Sequence, residues 1–216
     1  MKKTLGLILV FAIALCSVFS FASCKKETES AIYGLAAAAS PSKTVTLTDF
    51  TTKDGKIYEG EFIMTVEGNN SIFDFKYERP KTIEESAEDG IPELTKTVEG
   101  TIYFKDGKFS EDGDKWTSEA PSATAFKFDL KPEYLTGATI NGADTELTAE
   151  LTPENAIKVL GTDLQPNGNV KLTVKTNGVN LSRVIIEYTT TDGSAVRIDT
   201  TYTYNSVTLV FPESAE

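Results

Sequence analysis

The sequence predicts a mainly β domain, an antiparallel meander of short strands with one short helix. Three observations predict it. From Thr44 onward apolar and polar residues alternate with period two, as in Phe62-Ile63-Met64-Thr65-Val66, Phe73-Asp74-Phe75-Lys76-Tyr77 and Phe126-Lys127-Phe128-Asp129-Leu130, the pattern of a sheet with one wet and one covered face. Turn pairs punctuate these runs: Asp54-Gly55, Asp106-Gly107, Asp112-Gly113, Asn141-Gly142, Asn167-Gly168, Asn177-Gly178 and Asp192-Gly193. Asn, Asp and Gly accept the positive φ of tight hairpins, so each pair marks a reversal between antiparallel strands. Only Thr152–Gly161 carries a full set of helix signals.

The chain opens with Lys2 and Lys3, followed by an apolar run from Leu5 to Phe21 broken only by small residues, the form of a secretory leader. The run ends in Phe21-Ala22-Ser23-Cys24, which resembles the lipobox of bacterial lipoproteins. The resemblance implies that residues 1–23 are removed and that Cys24 becomes the lipidated first residue, anchoring the protein to the cell membrane or outer membrane. Cys16 is the poorer candidate, because Leu15 is too large for the position before the lipidated cysteine. The alternative is an uncleaved helix, since a run of about 17 residues lies at the short edge of what spans a bilayer. Diacylglyceryl chains at about 0.8 kcal/mol per buried methylene suffice for stable anchoring.

Residues 24–43 are polar, then Ala-rich, then Ser40-Pro41-Ser42. They read as a lipidated tether with room for one helical turn around Ile32 to Ala39; the sharper alternative, a functional lid helix, is disfavoured by so short a run. Residues 44–216 form one β-rich domain. A body of roughly 170 residues is a single domain by length and buries about 70% of its unfolded surface, so it needs no staples. With Cys16 in the leader and Cys24 acylated, the body has no thiol to form one.

Strands are expected near Val45–Phe50, Ile57–Val66, Ile72–Tyr77, Thr97–Phe104, Ala125–Leu130, Thr139–Asn141, Glu146–Leu151, Val170–Thr176, Arg183–Thr189, Ala195–Tyr204 and Ser206–Phe211. Between them, Pro80 to Pro92 is an acidic run without a pattern, read as a mobile, solvated loop with at most a short helical turn. In the helix, Thr152 suits the cap, Pro153 the first helical position, Glu154 the dipole and Gly161 the left-handed stop.

Composition excludes several classes of function. With 32 Asp and Glu against 21 Lys and Arg the net charge is -11, and losing Lys2 and Lys3 with the leader makes it two units more negative. Phosphate backbones repel such a surface, so no nucleic-acid partner is expected. The chain has no histidine, which removes the Ser-His and Cys-His pairs and the commonest zinc ligand. No phosphate loop or dinucleotide fingerprint is present. Glu111-Asp112-Gly113-Asp114 has oxygen ligands but not the register of a calcium loop, and reads as an acidic turn. No catalysis, cofactor or metal is expected, and the chain is expected to act as a monomer.

The run Gly100-Thr101-Ile102-Tyr103-Phe104-Lys105-Asp106-Gly107-Lys108-Phe109, then Asp114-Lys115-Trp116, the helix Pro153–Gly161 and the ending Thr201–Pro212 together resemble the LolA/LolB-like lipoprotein carriers and, more closely, the LppX/LprG-like lipoproteins. The resemblance implies an unclosed, strongly curved antiparallel half-barrel whose concave apolar face shelters a hydrophobic ligand, a lipid or a lipoprotein acyl chain. That family places a long helix before its first strands, where this chain has only the short Ala-rich segment.

The candidate ligand face is Phe62, Met64, Phe73, Phe75, Phe104, Phe126 and Phe128, with Trp116 at its rim. Its plainer reading is an ordinary core beneath the helix. One two-turn helix and a loop cannot cover so much one-sided sheet. Either the sheet folds on itself as a sandwich, displaying a surface for protein or polysaccharide, or a half-barrel leaves room for a ligand.

Overall fold

The computed structural model describes residues 31–82, 85–86, 95–117, 131–140, 145–160 and 166–212. Cys24, the strand expected at Ala125–Leu130 with Phe126 and Phe128, and the Asn141-Gly142 turn lie outside the described residues.

Ten strands follow in chain order: β1 (Lys43–Thr51), β2 (Ile57–Glu67), β3 (Asn70–Pro80), β4 (Thr95–Lys105), β5 (Lys108–Ser110), β6 (Leu135–Ile140), β7 (Glu146–Leu151), β8 (Val170–Thr176), β9 (Leu181–Thr189) and β10 (Ala195–Thr203). They form one antiparallel sheet in the order β5-β4-β3-β2-β1-β10-β9-β8-β7-β6, not closed into a barrel. A single sheet replaces the sandwich alternative. The first five strands meander outward to one edge, the last five meander inward from the other, and β1 joins β10 in the middle from Lys43↔Thr203 to Thr51↔Ala195.

Turn chemistry sets the register. Asp106 (φ 52) and Gly107 (φ 78) are both left-handed, the two-residue turn that matches strand twist. Thr52 and Thr190 close the β1–β2 and β9–β10 loops alike: each donates its N–H four residues on, to Lys56 O and Ser194 O at 2.8 Å. Gly68-Asn69, a turn pair in the reverse order, joins β2 to β3 with Gly68 at φ 60.

Among the described residues two eight-residue helices pack on the sheet: α1 (Ala31–Ala38) on β8 and β9, and α2 (Pro153–Leu160) on β7. α2 starts as its signals predict, with Asn155 N–H donating to Thr152 Oγ1 at 3.3 Å. α1 goes beyond the expected turn. Ile32, Tyr33, Ala36 and Ala39 are buried in the same core as Ala156 and Val159 of α2, so the folded body includes this helix beside the expected one. Packing supplies what the propensity of eight residues cannot.

Other differences are local. β6 begins at Leu135, before the expected Thr139, after a 3-10 turn at Pro132–Tyr134. Ser206–Phe211 forms no strand, because β10 already has β1 and β9 on its two edges. The segment runs instead as an extended strap, with Leu209 N–H donating to Glu67 Oε2 at 2.9 Å and Phe211 resting on Tyr103 and Trp116.

Candidate functional site: the inner lane of β2 to β4

The face carrying the helices is the inner one, and its two halves differ. From β7 to β10 it is aliphatic and closed: Leu147, Leu151, Val170, Leu172, Val174, Leu181 and Ile186 are at 0% exposure. From β2 to β4 it is aromatic. Register aligns Phe62, Phe75 and Gly100 in one row, Met64, Phe73 and Ile102 in the next, and Tyr77 beside Val98. Phe62, Phe73, Phe75 and Tyr77 touch in a closed circuit, with ring centroids 6.4, 5.8, 6.2 and 6.1 Å apart in turn, spacings suited to aromatic pairs.

Glycine makes this packing fit. A Cβ on Gly100 would lie 2.7 Å from the Phe75 ring, and one on Gly60 2.5 Å from Thr48 Oγ1 and 2.8 Å from the Phe62 ring. Both rings therefore lie flat on backbone that carries no side chain.

Burial divides the expected ligand face. Phe62, Met64 and Phe73 are fully packed and act as core. Phe75 and Phe104 are half-buried, together with Tyr77 and Ile102 and Val98; these five form an apolar lane, while the helices Ala31–Ala38 and Pro153–Leu160 lie over β7 to β9. Tyr77, Val98 and Ile102 were visible as members of alternating strands but had no signal separating them from ordinary core. Trp116 stands apart. It packs on Phe211, which also meets Tyr103, and Tyr103 pairs with Ile72 on the opposite parity from Phe73 and Phe75, so Trp116 belongs to the outer face. Its indole N–H donates to Gly113 O at 3.0 Å.

Among the described residues the lane is lined by strands alone. An enclosed pocket at its Tyr77 end, lined by Thr48, Phe50, Tyr58, Phe62 and Tyr77 among others, holds about 10 Å³, room for about one water. Larger depressions, such as the one of about 440 Å³ over Leu47, Asp49, Glu59 and Glu61, lie on the outer face.

Between the aromatic and aliphatic halves runs a threonine stripe, Thr44, Thr46, Thr48 and Thr200, all buried. Thr46 and Thr200 share a hydrogen bond of 3.0 Å. Thr44 Oγ1 and Tyr204 OH have no partner among the described residues, and burial pushes the Tyr204 phenol up to about 12.

The lane ends in charge. Arg79 pairs with Lys96 across β3 and β4, and both reach Glu85: Arg79 Nη1 and Nη2 donate to Oε2 and Oε1 at 2.7 and 2.6 Å, and Lys96 Nζ to Oε1 at 2.8 Å. These donors hold the Glu85 carboxyl far below the usual range. The expected solvated acidic loop thus contains one fixed carboxylate. At the other acidic motif, Asp112 accepts the N–H groups of Asp114 and Lys115 and the Ser110 hydroxyl, an ordinary acidic turn. Among the described residues no group of three or more Asp, Glu, His or Cys is placed to hold a metal ion.

No family model matches the chain, and no curated protein does. Among solved structures it is similar to a LolA superfamily protein from Nitrosomonas europaea, at 11% identity and a TM-score of 0.33 over 84% of this chain and 96% of that one. It is also similar to a redesigned beta barrel, mFAP1, bound to DFHBI, at 12% identity and a TM-score of 0.20 over 79% and 97% of the two chains.

Proposed function

We propose that the chain is an envelope lipoprotein, tethered through an acylated Cys24, that receives a hydrophobic ligand on the inner lane of β2 to β4. The supporting observation is the half-burial of Phe75, Tyr77, Val98, Ile102 and Phe104 on a sheet that stays open. Apolar surface left in water favours any partner that covers it, at about 25 cal/mol per Å². The ligand is a lipid or acyl chain lying along the strands, and the role is passive binding or carriage, with no catalytic step and no cofactor. The acidic body is repelled by anionic head groups, so the anchor, not charge, holds it at the membrane.

The test uses membranes from cells expressing the full chain, treated with a diazirine-bearing fatty acid and illuminated. Cross-links should map to peptides of β3 and β4. Label confined to residues 1–30 or to the outer face would overturn the reading.

A further inference from the structure

The inner lane is amphipathic along its length. Phe73, Phe75, Tyr77 and Arg79 project from β3, and Ile102, Gly100, Val98 and Lys96 stand opposite them on β4. The seven residues of strand from Phe73 to Arg79 span about 20 Å, enough for an extended acyl chain. At the end of that path two cations, Arg79 and Lys96, share one carboxylate among the described residues, on a chain whose net charge is -11. The three side chains are within reach of solvent, at 24% exposure for Arg79, 45% for Lys96 and 22% for Glu85.

We infer that Arg79 and Lys96 are the head-group site of the ligand, and that the lane takes an acyl chain ending in a carboxylate or phosphate, whose anion displaces Glu85. This rests on the function proposed above and names its ligand class. Planar guanidinium and ammonium donors suit either anion, and Arg79 already grips a carboxylate with both of its terminal nitrogens, the bidentate geometry that such recognition uses. Glu85 is the internal occupant. Its segment is tied down separately: Thr82 N–H donates to Glu85 Oε2 at 2.9 Å, and Glu85 N–H to Thr82 Oγ1 at 3.2 Å. That reciprocal cap is one a glutamine also makes. Replacing Glu85 by Gln therefore removes the competing charge and keeps the local fold.

Three photoreactive probes with one acyl chain test the assignment on the full chain in isolated membranes: a free fatty acid, its methyl ester and a lysophosphatidic acid. The acid, the phosphate or both should label the β3–β4 peptides at least about tenfold more than the ester, the scale of losing a charge-assisted hydrogen bond. The stronger of the two names the head group. Arg79→Met with Lys96→Met should abolish the preference, bringing acid and phosphate labelling down to the level of the ester, with the thermal midpoint recorded as a check on folding. Glu85→Gln should raise anionic labelling severalfold. Equal labelling by acid, phosphate and ester in the native chain, or a fall with Glu85→Gln, overturns the head-group site while the lane reading stands. Failure of all three probes to label the lane overturns both.

Discussion

Single residues on the inner face carry distinct costs, and Thr44 shows one directly. Its hydroxyl is buried at 2% residue exposure with no partner among the described residues, whereas Thr46 shares a bond with Thr200. An orphaned buried hydroxyl costs on the order of 1–3 kcal/mol, and an apolar group of the same shape avoids that cost. Thr44→Val should therefore stabilise the protein by about 1 kcal/mol, raising the thermal midpoint by roughly 2–4 °C for a domain of this size. Calorimetry of both forms checks it, and a lower midpoint in the variant would show that Thr44 has a partner in solution. Thr46→Val should behave oppositely, because it orphans Thr200.

At the scale of elements, α1 and α2 invert the order of their sequence signals. α2 has a cap, an N-terminal Pro and an i,i+4 pair of Glu154 and Lys158 at 2.6 Å. α1 has no acidic residue in its first turn and no basic one in its last, yet buries Ile32 completely. Removing that side chain leaves a cavity among β8, β9 and the core, so Ile32→Ala should cost roughly 2–5 kcal/mol. Lys158→Ala, at an exposed pair, should leave the midpoint almost unchanged. Chemical denaturation ranks the two; equal midpoints would mean that α1 is only loosely docked. The same contrast explains what was legible. Strands announced themselves because alternation and turn pairs are local, and β7 and β8 fall at their expected bounds. The sequence of α1 looks like tether because its stability comes from packing on strands over a hundred residues away. The strap 206–211 has the pattern of a strand because Val207, Leu209 and Phe211 alternate correctly, while the absence of a free edge on β10 is a property of topology. Phe62 and Phe75 looked equivalent in sequence; the described helices lie toward β8, β9 and β7, and only the fold shows that Phe75 remains half-exposed.

Over the whole molecule, the outer face balances an acidic chain by pairing its acids across strands. Lys175 meets Glu146 at 2.7 Å, Lys171 meets Glu187 at 3.2 Å, and Asp199 takes Arg183 Nε at 2.6 Å and Arg197 Nη2 at 3.0 Å. Burial alone would raise the Asp199 and Glu187 carboxyls, but the cations beside them outweigh it and hold both below their ordinary values. Hydrogen bonds from Thr190 and Ser194 lower Asp192 in the same direction, as backbone N–H groups lower Asp112. A carboxyl whose folded pKa lies below its unfolded one gives stability that is present above the unfolded value and is lost as pH falls through the folded value. Acid also relieves repulsion in a chain of net charge -11, an opposing effect, but one between exposed groups screened by salt beyond about a Debye length. The paired carboxylates should win. Stability should hold from pH 7 to about pH 5 and decline below about pH 4, where unfolded Asp and Glu begin to take up protons. Asp199→Asn should lower stability at pH 7 and flatten the acid limb. Urea midpoints at pH 7, 5, 4 and 3 in 0.15 M salt decide the matter. A midpoint that rises between pH 5 and 3 would mean that self-repulsion, not the cross-strand ladder, governs this sheet.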